Sequence, residues 1–360
     1  MIPHSKPTLG EEEKKACLAV LDSLQIAQGE KVAAFEKAFC ELIPRRFAVA
    51  VSSGTSALHL SLLALGIRPR DEVIVPSFTC AALLHALQAV GASPVVVDID
   101  LEDGNISVVE VKKKLSRKTK AVIVPHVFGR AAKIHELIRL GVPVIEDGTQ
   151  ALGARAGSKN VGAFGAISVF SFYATKMITT GEGGMILTGS RELARKLLDL
   201  RDYDKKSDYR FRTNSKMTDL EAAIGIEQLK KLPFFIQRRS EIAFHYTQAL
   251  KETSVIVPVK DDHRDHVYFR YAVRVPKKSG VWLKQLQGQG IDAKRPVFKP
   301  LHRYLGLSDK LFPWTTQAMK ETCSLPIFPS LSSEDCAAVC AALQAQGHSS
   351  LRRGALALNR

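Results

Sequence analysis

The sequence predicts an α/β protein built around one large, mostly parallel sheet, followed by a smaller α+β domain. Short β-branched runs alternate with helical patterns through the first two-thirds of the chain, which is typical of parallel βαβ units. A single long helical pattern then separates this region from a remainder of mixed composition. These two observations point to one central sheet and a second domain.

Seven short apolar runs carry the strand prediction, because each is rich in β-branched residues and is bounded by turn-forming or polar positions. They are Phe47–Val51, Glu72–Val75, Pro94–Val97, Ala121–Val124, Val142–Ile145, Ile167–Phe170 and Met185–Leu187. Helical patterns lie between them. One begins after Gly54 and Thr55, and another follows Thr79 and ends near Val90.

A helix rich in Glu, Gln, Lys and Leu is predicted from about Leu220, past Pro233, to about Lys251. We place the domain boundary near residue 235, which gives a large domain of residues 1–235 and a small domain of residues 236–360. The N-terminal segment can pack with the small domain. A strand near Tyr268–Val275 and a helix around Glu334–Gln346 make the second domain α+β.

Composition is that of an ordinary globular chain, with 46% hydrophobic and 24% charged residues among 360. We expect a cytoplasmic protein with no membrane contact, because no apolar run reaches membrane-spanning length and the N-terminus lacks a signal-type stretch. The six cysteines are scattered without a Cys-x-x-Cys pair. They predict reduced thiols and no metal site.

The formal net charge of +15 raises the question of the partner. Nucleic acid is disfavoured, because the basic residues are scattered and form only short clusters such as Lys112–Lys114 and Lys205–Lys206. Two interpretations stay open. One is attraction of an acidic small molecule such as a nucleotide diphosphate sugar, and the other is a basic solvated surface.

Lys176 is the most informative residue, because an apolar strand pattern precedes it and three glycines follow it before Met185. Lysine is normally a solvated surface residue, so this setting favours a chemical role. Upstream, a second apolar run ends in Asp147, where open α/β sheets place ligand-contacting groups. Asp147 could instead cap the next turn, and Glu146 alternates to the opposite face, which favours a structural role.

The segment 52–56, Ser-Ser-Gly-Thr-Ser, lies between a predicted strand and a predicted helix. Free N–H groups and the helix dipole make such a helix start an anion site, where Gly54 allows close approach and Thr55 adds a hydroxyl. An ordinary helix cap is the alternative. A dinucleotide site is disfavoured, because no Gly-x-Gly-x-x-Gly turn follows the first strand.

Together these segments resemble the DegT/DnrJ/StrS family of sugar aminotransferases over nearly the whole chain. The resemblance is carried, in family order, by residues 2–7, 51–57, 71–77, 144–154, 171–184, 216–229 and 324–329. It implies the fold of type I aminotransferases, with the cofactor pyridoxal 5′-phosphate on a seven-stranded large domain and a C-terminal domain that closes over it.

The resemblance also assigns roles. Lys176 would form the internal aldimine and shuttle the proton, which requires an uncharged amine and therefore burial. Asp147 would keep the pyridine nitrogen protonated. Gln150 would contact the phenolic oxygen of the cofactor. The phosphate contacts would come from Gly54, Thr55 and Ser171.

Asn214 matches a family position that reaches the cofactor phosphate of the neighbouring subunit, which implies a homodimer with shared active sites. From the sequence alone, Asn214 would be a loop residue at a turn. Where the family often has an aromatic residue stacked on the cofactor ring, this chain has Cys80. Either Cys80 covers the ring or Phe78 substitutes, and the sequence leaves this undecided.

Tyr173 and His302 are the two predicted substrate-side residues, although a lone loop histidine is also commonly structural. The predicted reaction moves an amino group from an amino acid, L-glutamate, to a keto group of a nucleotide-activated deoxysugar. A keto-cyclitol acceptor and a non-catalytic regulatory relative are the alternatives. The segment 178–184 resembles members that aminate carbon four, but Tyr173 replaces their histidine, so the carbon stays open.

Overall fold

The computed structural model describes residues 1–259, 261–276 and 279–357. Its centre is a seven-stranded sheet, and all seven predicted strands belong to it. In chain order the strands are β1 Phe47–Val51, β2 Glu72–Pro76, β3 Ser93–Val97, β4 Thr119–Pro125, β5 Val144–Asp147, β6 Arg155–Ala156, β7 Lys159–Asn160, β8 Ile167–Ser171, β9 Gly184–Thr188, β10 Tyr271–Arg274 and β11 Thr322–Leu325.

The large sheet has the strand order β1-β9-β8-β5-β4-β2-β3. The pairings from β8 to β3 are parallel, and β9 lies antiparallel between β1 and β8. The carboxyl ends of β1, β8, β5, β4, β2 and β3 therefore meet at one edge. The prediction of a mostly parallel seven-stranded sheet is confirmed.

The helices alternate with the strands of the large sheet and then dominate the C-terminal part. They are α1 Glu11–Ser23, α2 Glu30–Leu42, α3 Gly54–Ala64, α4 Ala82–Ala89, α5 Val108–Lys114, α6 Ile134–Ile138, α7 Arg191–Arg201, α8 Asp219–Leu250, α9 Ser279–Gly288, α10 Leu301–Tyr304, α11 Pro313–Glu321 and α12 Ser333–Ala357. The last helix continues beyond the predicted end at Gln346. Within the described ranges, no helix combines the length and apolarity needed to cross a membrane.

Both faces of the large sheet are buried. Adjacent residues of a strand point to opposite faces, so each strand contributes to two apolar clusters. Ile74 belongs to one apolar cluster, whereas Val73 and Val75 belong to the cluster on the other face. A third cluster, formed mainly by residues 242–343, also includes Ile2. Helix α8 passes without a break from the first cluster into the third, so the boundary near residue 235 stays a prediction.

The predicted strand over Tyr268–Val275 is shorter in the structure, because its first residues make different contacts. The N–H groups of Val267 and Arg270 donate to Gly129 O and Phe128 O, at 2.9 and 3.2 Å. Only from Tyr271 does the chain pair with β11. These hydrogen bonds hold Phe269 and Arg270 near Phe128 and Gly129, which follow β4 of the large sheet.

Candidate active site

Asp147 and Ser171 end two adjacent parallel strands, β5 and β8, at the carboxyl edge of the sheet. Asp147 is buried, with 6% of its surface exposed, and its Oδ1 accepts the Thr149 N–H at 3.0 Å. One carboxylate oxygen therefore caps the following turn, as the alternative interpretation required. Its second oxygen makes no hydrogen bond with any residue that the structure describes and can face a ligand.

Lys176 lies in the turn after β8, where its N–H donates to Tyr173 O at 2.9 Å. The residue keeps some exposure, but its amine points inward, 5.3 Å from the centre of the Phe269 ring. Burial lowers the pKa of this amine, while Asp147 and Cys80 oppose the shift. The lowered pKa brings the amine closer to the uncharged form that attacks a carbonyl.

The predicted anion site lies at the N-terminus of α3. Ser53 caps the helix, because its Oγ accepts the Ser56 N–H at 3.0 Å. Helix geometry leaves the N–H groups of Gly54 and Thr55 without an intrahelical acceptor. A helix start with two free donors and a favourable dipole fits a phosphate.

Gly54 has a packing role that the sequence did not indicate. A Cβ added at this residue would lie 2.7 Å from the Cβ of Ser171. Glycine therefore allows the start of α3 to touch the end of β8, which brings the Ser171 hydroxyl to the anion site. The structure thus brings Gly54, Thr55 and Ser171 together, as the resemblance implied.

Gln150 and Cys80 border a cavity of about 300 Å³. The Oε1 of Gln150 accepts the Phe128 N–H at 2.9 Å, which leaves the amide NH₂ as a donor. Cys80 is exposed, whereas Phe78 is 1% exposed and packs edge-on against Phe128. Of the two candidates for covering a cofactor ring, only Cys80 is accessible.

The two predicted substrate residues differ in accessibility. Tyr173 is 48% exposed and available to a ligand. His302 is completely buried, with Nδ1 2.6 Å from Ser77 Oγ and Nε2 2.9 Å from Asp309 Oδ1. Its ring also stacks on Phe312. This geometry gives His302 a structural role, and a direct substrate contact is not supported.

Asn214 is exposed in the loop that precedes α8. The carbonyl of the next residue, Ser215, accepts the Ser52 N–H at 2.9 Å. The loop of Asn214 therefore lies beside the anion site of its own chain. A contact of Asn214 with the phosphate of a second subunit stays a prediction.

Sequence reasoning missed Phe269 and Arg270. The amine of Lys176 and the guanidinium of Arg270 both lie over the Phe269 ring, at 5.3 and 4.7 Å from its centre. The pattern of segment 268–271, Tyr-Phe-Arg-Tyr, indicates only a strand. A charged residue inside an aromatic run was the available signal, because such a residue has to find a polar environment.

Comparison with known proteins agrees with the geometry of the candidate site. The model of the DegT/DnrJ/EryC1/StrS aminotransferase family matches residues 7–344. GDP-perosamine synthase from Escherichia coli O157:H7 is 35% identical, over 94% of this chain and 96% of that protein.

Two solved structures have the same fold and are more than 30% identical. The aminotransferase TlmJ from Streptoalloteichus hindustanus superimposes with a TM-score of 0.93 at 31% identity, covering 98% of this chain and all of its own. DesV from S. venezuelae, in complex with a ketimine intermediate, has a TM-score of 0.89 at 32% identity and covers 94% of each chain.

These matches confirm the predicted fold class and the predicted activity, a sugar aminotransferase that uses pyridoxal 5′-phosphate. The residues at the carboxyl edge suit this cofactor: an anion cradle, a buried carboxylate and an inward-pointing amine. The chain belongs to the DegT/DnrJ/EryC1/StrS aminotransferase family.

Proposed function

We propose that this enzyme transfers the amino group of L-glutamate to a keto group of a nucleotide-activated deoxysugar. The observation that carries the proposal is the position of the Lys176 amine. Burial lowers the pKa of this amine, and the amine lies close enough to Asp147 for the carboxylate charge to affect that pKa. A relative named GDP-perosamine synthase supports a nucleotide-linked sugar as the acceptor. The net charge of +15 favours such an acidic acceptor over an uncharged keto-cyclitol.

Each residue has a defined task in this proposal. The N–H groups of Gly54 and Thr55, with the Ser171 hydroxyl, bind the cofactor phosphate. Asp147 faces the pyridine nitrogen, and the NH₂ of Gln150 donates to the phenolic oxygen. The bound cofactor supplies an electron sink for the carbon that loses its proton.

Lys176 has two tasks in the proposed reaction. Its uncharged amine would hold the bound cofactor covalently, and once freed it would be placed to take up and return the proton of the substrate carbon. The proposed assembly is a homodimer with shared sites, in which Asn214 contacts the phosphate of the second subunit. Cys80 covers the cofactor ring in place of an aromatic side chain.

The covalent role of Lys176 is tested first. Purified protein should be yellow, and borohydride reduction followed by peptide mapping should place the cofactor adduct on Lys176. Lys176→Ala should bind the cofactor without forming the adduct. An adduct on another lysine would show that the assignment is wrong.

The acceptor is tested by loading the enzyme with an amino group from L-glutamate and then adding candidate ketones. We expect turnover with nucleotide keto-deoxysugars, and the amino sugar formed will show which carbon is aminated. Turnover with a keto-cyclitol alone would favour the alternative acceptor. Cofactor binding without reaction toward any amino acid would favour a regulatory relative.

A further inference from the structure

Arg270 is a partly buried cation beside the reactive lysine. Its Nη1 lies 2.9 Å from Nδ1 of His4, and its guanidinium lies over the Phe269 ring. Among the residues of ranges 1–259, 261–276 and 279–357, no carboxylate forms an ion pair with Arg270. Burial alone lowers the pKa of Arg270 to about 10, so the side chain stays charged at neutral pH.

His4 orients Arg270 without neutralising it. Burial, followed by the charge of Arg270, lowers the pKa of His4 to about 3, so its ring is neutral and Nδ1 accepts a hydrogen bond. The other ring nitrogen lies 2.9 Å from the Ser324 hydroxyl. The guanidinium is therefore held in one orientation, with its remaining N–H donors available to another acceptor.

Two other basic side chains, Lys176 and Arg239, lie near Arg270. The amine of Lys176 lies over the same Phe269 ring, and the charge of Arg270 contributes to lowering its pKa. Arg239 lies close enough for the charge of Arg270 to lower its pKa too, but its Nη1 is already bound to backbone carbonyls. A partly buried cation without a counter-charge is unfavourable unless an anion binds to it.

We propose that Arg270 binds the α-carboxylate of the amino-acid donor. The inference rests on the proposed function, because the donor amine has to react where the amine of Lys176 lies. The α-carboxylate is attached to the same carbon as that amine, so it must be accommodated next to Lys176. A guanidinium suits this task, because its parallel N–H groups match the two oxygens of a carboxylate.

A keto-sugar acceptor has no equivalent carboxylate. Arg270 is therefore a donor-binding residue, whose contact with a carboxylate is made in the half-reaction with the amino acid and not in the half-reaction with the sugar. The test therefore measures the two half-reactions separately, because a general loss of structure would impair both of them.

The variant Arg270→Gln tests the proposal by single-turnover spectroscopy of the cofactor-loaded enzyme. The rate constant divided by the dissociation constant for L-glutamate should fall about 10- to 100-fold, as expected for a lost hydrogen bond to a charged group. L-glutamine, which keeps the α-carboxylate, should lose the same factor. The half-reaction with the keto-sugar should lose a much smaller factor, because no contact with that substrate is lost and only the effect of the Arg270 charge on the pKa of Lys176 is removed.

Two further variants control for charge and structure. Arg270→Lys keeps the charge but loses the paired donors, and it should recover part of the lost rate. Arg274→Gln is the matched control, because Arg274 lies four residues further along the chain, on β10, and forms an ion pair with Glu321 at 3.3 Å. It should react with L-glutamate like the wild type.

A binding measurement completes the test. Calorimetric titration of 2-oxoglutarate into the cofactor-loaded enzyme involves no amino transfer, and it should show binding that Arg270→Gln weakens at least about tenfold.

Three outcomes would each overturn the proposal: equal losses in both half-reactions, a loss with L-glutamate but not L-glutamine, or unchanged 2-oxoglutarate binding. If the wild type reacts with no amino acid, the proposed function fails, and the 2-oxoglutarate titration still decides the role of Arg270.

Discussion

The protonation of Lys176 depends on opposing effects at the scale of single side chains. Burial lowers the pKa of its amine, and the charge of Arg270 adds to this effect. Asp147 and Cys80 act in the opposite direction. Because desolvation is the largest contribution, the net pKa is lowered, which suits an amine that has to be uncharged before it can attack.

The substitution Asp147→Asn should slow the half-reaction with L-glutamate by roughly a hundredfold or more, because it removes the charge that stabilises a protonated pyridine nitrogen. Stability should change little, since the amide oxygen of the substituted side chain can still accept the Thr149 N–H. Stopped-flow spectroscopy and urea unfolding measure the two effects. Rates near those of the wild type would exclude this role for Asp147.

Glu146 provides the matched control for this substitution. Its buried carboxylate accepts the N–H groups of Gly162, Phe164 and Gly165 at 2.9, 2.7 and 2.6 Å. Glu146→Gln should therefore lower the free energy of unfolding and leave the half-reaction rate of the folded enzyme nearly unchanged. If Asp147→Asn slows the half-reaction without loss of stability and Glu146→Gln does the reverse, the two substitutions distinguish a catalytic role from a structural one.

At the scale of secondary structure, Asp219 links two helices. It is the first residue of α8 and is 3% exposed. Its carboxylate caps the N-terminus of α2 by accepting the N–H groups of Gly29, Lys31 and Val32 at 2.8, 3.1 and 3.0 Å. A negative charge at this position also complements the helix dipole.

Asp219→Asn should lower the free energy of unfolding by about 2–3 kcal/mol, because hydrogen bonds to a charged acceptor are lost in a buried environment. Urea unfolding of the cofactor-loaded protein measures this change. Ser190→Ala, which removes an ordinary cap of α7, is the comparison and should cost about 1 kcal/mol. If Asp219→Asn costs no more than Ser190→Ala, the link between α2 and α8 contributes little.

At the scale of the whole molecule, two histidines make stability depend on pH. Burial lowers the pKa of both His4 and His266 to about 3. Their unfolded pKa is about 6.5, so the unfolded chain binds more protons below that pH. The free energy of unfolding should therefore fall between pH 6.5 and pH 3, by up to about 1.4 kcal/mol per pH unit for each histidine.

His4→Gln should reduce this pH dependence, because one of the two groups no longer titrates. The measurement is urea unfolding of the wild type and the variant at pH 7.5, 5.5 and 4.5, and the comparison uses the difference in slope. Other acidic groups contribute equally to both proteins and cancel. Identical slopes would show that His4 is not buried in its neutral form.

The proposed shared site is also a property of the whole molecule. Mixing Lys176→Ala chains with Asn214→Ala chains should restore up to about a quarter of the wild-type activity, because random pairing gives each heterodimer one intact site. That site combines Lys176 of one chain with Asn214 of the other. Activity assays after subunit exchange measure the recovery.

The contact between Ser215 and Ser52 defines the competing outcome, since it places the Asn214 loop at the anion site of its own chain. If Asn214 serves that site, both sites of the heterodimer are defective and no activity returns. Confirmed heterodimers without recovered activity would therefore show that Asn214 acts within one chain. A fully active monomer would exclude the shared site as well.

The sequence by itself determined the secondary structure of the large sheet and the type of chemistry. The seven strands and α8 follow from apolar spacing within a few residues, so they could be predicted from local patterns. Lys176 and Asp147 were recognisable because each lies at or shortly after the end of such a strand. Their order along the chain also carried the family resemblance, and with it the cofactor.

Only the tertiary structure decided which side chains are accessible and which segments meet. His302 was predicted to be near the substrate, but it is buried through a contact with Ser77, 225 residues away in the sequence. Cys80 is exposed whereas Phe78 is buried, and Arg270 approaches Lys176 because residues 267–270 contact the segment that follows β4. These features depend on contacts between distant segments, and no local spacing in the sequence encodes them.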